Sequence, residues 1–150
     1  MAAIELGRRV AEAKRSDVEP TKLCSTEAAI EFFRVRFARL ITDGKREELH
    51  VVTLGTKNQF INSHCVSAGT LDASLVHPRE VFRPAIKDVA SSIILGHNHP
   101  SGDPSPSKED FAVTRRLKEA GDLIGIAVLD HIIMGRYGVV SLKACNATDH

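Results

Sequence analysis

The chain has 150 residues, of which 43% are hydrophobic and 26% are charged, and its formal net charge at neutral pH is +1. This composition is typical of a soluble globular protein of one domain. A nucleic-acid partner is not supported by the charge, because the lysines and arginines lie in short dispersed groups and form no basic stripe.

Cysteine usage and hydropathy bear on the compartment. Cys24, Cys65 and Cys145 are widely separated and form no C-x-x-C pair, so the sequence predicts neither a disulfide framework nor a cysteine metal site. No stretch approaches the roughly eighteen apolar residues of a membrane span. The N-terminus also lacks a basic-then-apolar signal. We therefore expect a cytoplasmic protein with no membrane partner.

The first part of the chain is predicted to be helical. Residues 2–14 are expected to form a short helix within an N-terminal extension, residues 1–20, that precedes a domain over residues 21–150. Ser25 or Thr26 can cap the next helix, and Gly44 follows its end. Its apolar side chains recur at helical spacing, which predicts a buried face: Ile30, Phe33, Phe37 and Leu40.

A hairpin and a third helix are predicted next. Residues 47–54 alternate as a strand, and residues 59–66 form a second strand after a turn. Residues 67–76 are expected to be a loop. Pro78 suits the first position of a helix, because its missing N–H costs nothing there. That helix has one apolar face, made of Val81, Phe82, Ala85, Ile86 and Val89.

The second half alternates between strand and helix. Residues 91–95, SSIIL, predict a buried strand. A helix then begins at Ser107 and is expected to end at Gly121, a residue suited to a left-handed C-terminal position. Residues 124–134 and 139–142 are predicted as closing strands around a glycine-flanked turn. This element order predicts an α/β fold with a mixed sheet flanked by helices.

The side chains best suited to bind a metal lie between the buried strand and the helix, in the segment LGHNHPSGDPSPSKED. His97 and His99 point to the same side of an extended segment, and Pro100 keeps His99 extended. Asp110 can join them if the intervening loop folds back. Two imidazole nitrogens and one carboxylate suit catalytic Zn²⁺ with one position left for water. Such a water ionises near neutral pH and becomes a nucleophile.

Simpler interpretations of these residues stay open. Ser107 and Asp110 have the spacing of a capping box, so Ser107 could be only a helix cap. A His-x-His pair alone is a weak signal, so the hypothesis of a metal site depends on the specific spacing of His97, His99, Ser107 and Asp110 together. A glutamate near the metal could act as a general acid–base, and the residues alone leave Glu47 and Glu48 nearly tied.

Several other polar residues could contribute to a site. Asp130 and His131 interrupt an apolar run. Asp130 could hydrogen-bond a ligand imidazole and fix its orientation, or the two residues could form a buried structural pair. His50, His64 and His150 lack partners at ligand spacing. A zinc-dependent nucleobase deaminase would need His-x-Glu and Pro-Cys-x-x-Cys, and the sequence contains neither pattern.

His97, His99, Ser107 and Asp110 resemble the metal-binding motif of the JAMM (MPN+) metalloproteases. Within that superfamily the chain resembles the RadC family, on these segments: MAAIELGRR, the REEL strand start, VSAGTLDASLVHPREVF, IILGHNHPSGDPSPS and VLDHIIMG. The resemblance implies a JAMM/MPN-type α/β sandwich, similar to that of the cytidine deaminases, over residues 21–150. It also implies a zinc metallopeptidase that hydrolyses peptide or isopeptide bonds.

The resemblance assigns a role to each site residue. It places Zn²⁺ on His97, His99 and Asp110, and Ser107 as a residue that stabilises the oxyanion. It favours Glu47 over Glu48 as the acid–base. The substrate would be a peptide or protein. The alternative is a non-catalytic metal-binding module associated with DNA repair. A helix-hairpin-helix region often precedes this point in RadC-like proteins, and we do not expect one within these 150 residues.

Overall fold

The computed structural model describes residues 21–69, 72, 74 and 76–148. The predicted N-terminal extension, residues 1–20 with its helix, lies outside the described residues. The described residues form five helices and five strands in the order α1 (Thr26–Arg36), α2 (Ala38–Asp43), β1 (Glu48–Leu54), β2 (Phe60–Ala68), α3 (Pro78–Lys87), β3 (Ser92–Asn98), α4 (Lys108–Ile124), β4 (Ala127–Gly135), β5 (Gly138–Ser141) and α5 (Leu142–Thr148).

The strands form one mixed sheet in the order β2-β1-β3-β4-β5. β1 pairs antiparallel with both β2 and β3, β3 pairs parallel with β4, and β5 returns antiparallel to β4. β3 is buried along its whole length, as expected for a central strand covered on both faces. The predicted α/β class, with a mixed sheet flanked by helices, is confirmed.

Two hydrophobic clusters cover the two faces of the sheet. On one face, Leu95 of β3 packs with Phe82 of α3 and Leu117 of α4. On the other, Ile94 packs with Phe33 and Phe37 from the α1 side. Successive strand residues point to opposite faces, so neighbours in β3 belong to different clusters. The functional side chains of β3 therefore face either the α3–α4 layer or the α1 layer.

Several element boundaries differ from the sequence prediction. The helix expected before Gly44 is divided at Phe37 into α1 and α2. α4 does not end at Gly121 but runs to Ile124, and Gly125 supplies the left-handed cap with φ 88°. A β-carbon on Gly121 would come 2.4 Å from the carbonyl oxygen of Ile126, so this glycine permits close packing of the helix.

Other predictions fail at the edges of elements. β2 runs on to Ala68, into the predicted loop, and β4 begins at Ala127. Ile86 and Val89, expected on the apolar face of α3, are 58% and 85% exposed. The short helix α5 was not predicted. Within the described part of the chain, no helix is long and apolar enough to span a membrane.

Candidate metal centre

His97 and His99 lie where the central strand ends, facing the α3–α4 layer. His97 is in β3 and fully buried, whereas the side chain of His99, just beyond the strand, is 13% exposed. Their ring centroids are 4.7 Å apart. The backbone N–H of His99 donates to the carbonyl oxygen of Met134, which keeps the segment extended beside β4. Both imidazoles can thus face one point, as the i, i+2 spacing predicted.

Asp110 reaches the same point from the first turn of α4. Its carboxylate Oδ1 lies 3.2 Å from His97 Nε2, and Oδ2 lies 3.3 Å from His99 Nε2. The backbone N–H of Ser107 donates to Oδ2 at 2.7 Å, and the Ser107 hydroxyl accepts from the Asp110 N–H at 3.2 Å. This reciprocal capping box fixes the aspartate side chain before any ligand binds.

A buried hydrogen-bond chain determines which nitrogen of His97 carries the proton. The Thr114 hydroxyl donates its single proton to the carbonyl oxygen of Asp110 at 2.7 Å, so its oxygen must accept from His131 Nδ1, also at 2.7 Å. Complete burial, together with the nearby His97, lowers the pKa of His131 to about 3, so this ring is neutral. Its Nε2 then accepts from His97 Nδ1–H at 2.9 Å.

His97 Nε2 therefore presents a lone pair to the site. This buried nitrogen makes no hydrogen bond within the described part of the chain, although it faces Asp110. His99 is arranged alike, because its Nδ1–H donates to the carbonyl oxygen of Asp103 at 2.8 Å. When both rings are neutral, each Nε2 lone pair points towards an anionic oxygen, an arrangement that a cation between them would stabilise.

The spacing of the three side chains is close to that of ligands around a tetrahedral metal ion. Zinc–nitrogen and zinc–oxygen bonds at tetrahedral angles separate neighbouring ligand atoms by about 3.3–3.5 Å. His97 Nε2 lies 3.2 Å from Oδ1 of Asp110 and His99 Nε2 lies 3.3 Å from Oδ2, so each imidazole faces its own oxygen of one carboxylate. The orphaned nitrogen and this donor set, two imidazoles and one carboxylate, suit a divalent cation.

The charges of these groups are strongly coupled. Burial alone would raise the pKa of Asp110, but the two adjacent imidazoles, together with the hydrogen bond from the Ser107 N–H, outweigh burial and hold the pKa far below 3.8. The Asp110 carboxylate in turn raises the pKa of His99, against the opposing effect of burial. A permanent anion therefore faces the imidazoles at neutral pH, which favours a cation at this point.

Glu47 lies at the same centre and Glu48 does not. One carboxylate oxygen of Glu47 and one ring nitrogen from each of His97 and His99 all lie within 4.8 Å of one another. Glu47 directly precedes β1, and Glu48 points to the opposite face, where its carboxylate contacts His50. Alternation along the strand thus separates the two glutamates that the residues alone left tied.

The middle residue of the His-x-His motif fixes the backbone around Glu47. Asn98 is buried; its Oδ1 accepts from the Glu48 N–H at 2.7 Å, and its Nδ2 donates to the Arg46 carbonyl oxygen at 2.9 Å. These are the peptide groups on either side of Glu47. One segment, 97–99, therefore supplies both imidazoles and the clamp that positions the glutamate.

Ser107 lies at the entrance to α4 and forms the predicted cap. Its hydroxyl oxygen accepts from a backbone N–H, which leaves the hydroxyl proton available for donation elsewhere. The side chain is exposed. The structure thus supports the capping interpretation, and its role towards an oxyanion stays a prediction.

Sequence reasoning missed His131 as the partner of a ligand imidazole and assigned that alternative to Asp130. The β4 register pairs Asp130 with Ile94, whose side chain faces the α1 layer, and His131 with Leu95, on the face of His97. Asp130 accepts instead from the backbone N–H of His131 and of Lys143, a structural role. A signal existed, since a buried histidine one strand away needs a polar partner.

Comparison with known proteins identifies relatives over almost the whole chain. Residues 23–147 match the family described as RadC-like JAB domain. The UPF0758 protein STH371 of Symbiobacterium thermophilum is 50% identical over 143 residues, and the UPF0758 protein lmo1549 of Listeria monocytogenes is 48% identical over 143 residues. Both alignments cover 95% of this chain, but only 58% and 61% of those relatives. Their names state no activity.

Proposed function

Because the chain belongs to the RadC family and carries its JAB domain, we propose that it is a zinc-dependent hydrolase of peptide or isopeptide bonds. The observation that carries this proposal is the convergence of Glu47, His97, His99 and Asp110, with the His97 Nε2 lone pair unsatisfied in a buried site. The resemblance to the JAMM metalloproteases supports the reaction class.

The residues divide into holding and reacting groups. His97, His99 and Asp110 would hold the ion, with His131 and Ser107 fixing the orientation of the ligands. A bound Zn²⁺ supplies a Lewis acid and lowers the pKa of a coordinated water towards 7. The open side of the site must admit the substrate, and His99 is the more exposed of the two imidazoles.

Glu47 is positioned for proton transfer. Its carboxylate reaches the cluster without being buried as deeply as Asp110, so it can accept a proton from the attacking water and return it to the leaving amine. The Ser107 hydroxyl, which keeps its proton, would stabilise the oxyanion of the tetrahedral intermediate. Glu47 and Ser107 would thus share the acid–base and oxyanion roles.

The test compares Glu47→Gln with the zinc-loaded wild-type chain. We expect the wild type to cleave internally quenched peptides or peptides branched through a lysine isopeptide bond. Glu47→Gln should reduce kcat by about 10²–10⁴-fold and retain the zinc, because the amide cannot accept the proton. Glu31→Gln, an exposed glutamate on α1, is the matched control and should keep full activity.

The same experiment separates the two candidate functions. A chain that binds zinc through these residues yet cleaves no peptide in either class would favour a non-catalytic metal-binding module associated with DNA repair. Cleavage that continues unchanged in Glu47→Gln would contradict the assignment of the acid–base residue. The curated relatives are longer than this chain, so hydrolysis by a full-length protein of this family is proposed in the same way as hydrolysis by this chain.

A further inference from the structure

A second group of metal-ligating side chains lies on the opposite face of β1, where Glu48, His50 and Cys65 meet. The hairpin register places Cys65 of β2 directly opposite His50, and Glu48 precedes His50 by two residues on the same face. One ligand atom from each of the three side chains lies within 4.8 Å of the others. The sequence predicted no partner for His50 and no cysteine metal site, because this cluster depends on strand pairing.

One carboxylate oxygen joins the three side chains. Glu48 Oε1 lies 3.0 Å from His50 Nε2 and 3.7 Å from Cys65 Sγ. The His50 ring packs against Phe37, with centroids 4.8 Å apart, which orients the imidazole from the α1 side. The side chains of Glu48 and His50 are 31% and 14% exposed, and Cys65 is exposed. The cluster is thus held by packing but remains open to solvent.

We propose that Glu48, His50 and Cys65 form a second site for a divalent transition metal such as Zn²⁺, with solvent completing the coordination. Carboxylate, imidazole and thiolate are the three ligand types that zinc takes from proteins. Tetrahedral zinc separates a nitrogen and an oxygen ligand by about 3.3–3.5 Å, and a sulfur and an oxygen ligand by about 3.5–3.7 Å. The observed 3.0 and 3.7 Å require only small side-chain adjustments.

Without a metal, the same side chains form an ordinary polar cluster. Burial and the charge of Glu48 raise the pKa of the Cys65 thiol, so it is protonated at neutral pH and can donate to Glu48 or to the Ser67 carbonyl oxygen at 3.6 Å. A bound cation would replace this proton, since the thiolate is the metal ligand. The two states therefore differ in whether sulfur bonds directly to a metal.

Cobalt substitution tests for that bond. Co²⁺ coordinated by a thiolate gives an intense near-ultraviolet charge-transfer band, and the first centre contains no sulfur. The experiment uses the full chain carrying Cys24→Ser and Cys145→Ser, in which Cys65 is the single remaining cysteine of the three. After removal of bound metal under reducing conditions, Co²⁺ is titrated while this band and the total metal content are recorded.

We expect the band to saturate when two Co²⁺ are bound per chain, one in each centre, and to disappear when Cys65→Ser is added. Glu48→Gln and His50→Gln keep the thiol and the hairpin, and each should shift the band to at least about tenfold higher Co²⁺ concentration. Circular dichroism checks that each variant is folded. Absence of the band, or a band with the same midpoint in Glu48→Gln and His50→Gln, would overturn the proposal, because a thiol binding cobalt alone would not depend on its neighbours.

Discussion

Replacing His131 tests how the buried hydrogen-bond chain prepares His97 for a metal. His131→Leu fills similar space but leaves the His97 Nδ1–H without an acceptor in a fully buried site. An unsatisfied buried donor costs about 1–3 kcal/mol. Loss of the partner that fixes a ligand imidazole lowers metal affinity by about 10–100-fold. We therefore expect a chain that is less stable and also binds zinc less tightly.

Two amide variants separate the contacts that His131 makes. His131→Gln can place an oxygen near the former Nε2 and accept from His97, so part of the zinc affinity should return. His131→Asn can donate to Thr114 but does not reach His97, so its affinity should resemble that of His131→Leu.

Zinc affinity is measured by competition with a chromogenic chelator, and the free energy of unfolding by urea titration of the metal-free chains. We expect zinc affinity to be highest in the wild type, lower in His131→Gln, and lowest and similar in His131→Asn and His131→Leu. If His131→Leu bound zinc as tightly as the wild type, the inferred proton arrangement would be wrong. A loss of stability alone, with unchanged affinity in all variants, would reduce His131 to a packing residue.

Two further changes test other contacts. Asn98→Ala removes the clamp on the peptide groups flanking Glu47, so peptide hydrolysis should slow while the zinc content is unchanged. The free energy of unfolding in urea should fall by about 1–3 kcal/mol, because buried backbone groups lose their partners. Loss of zinc with full activity would contradict this. Burial tends to raise the pKa of Asp88, but hydrogen bonds from His64 and Thr53 outweigh it and lower the pKa below 3.8. A lowered folded-state pKa gives stability that is present above the unfolded-state pKa and lost as pH falls through the folded-state value. Asp88→Asn should therefore have a lower free energy of unfolding than the wild type at neutral pH, and that free energy should fall less on acidification. Urea titrations of both chains at several pH values measure this, and the same difference between the two chains at every pH would contradict it.

The core of the candidate site could be predicted because its signals are local. The i, i+2 spacing in a strand and the three-residue spacing of a capping box each fix side-chain direction without any knowledge of the fold. His97, His99 and Asp110 accordingly meet as expected. Choosing between Glu47 and Glu48 needed the family resemblance, and the structure places only Glu47 beside the two histidines.

The missed contacts depend on which strands are neighbours. His131 meets His97 through the parallel pairing of β3 with β4, and His50 meets Cys65 through the hairpin register. Neither contact is signalled by a characteristic spacing along the sequence. The helix end was misjudged for a related reason. Gly121 serves close packing against Ile126, whereas Gly125 takes the left-handed cap, and sequence alone does not separate these two uses of glycine.

The sharpest test of the proposed metal centre is a crystal structure of the zinc-loaded chain, with anomalous data collected on both sides of the zinc absorption edge. We expect an anomalous peak about 2.0–2.2 Å from Nε2 of His97, Nε2 of His99 and a carboxylate oxygen of Asp110, with the Glu47 carboxylate beside it. An ion bound through Nδ1 of either histidine, or no ion between these side chains at saturating zinc, would contradict it.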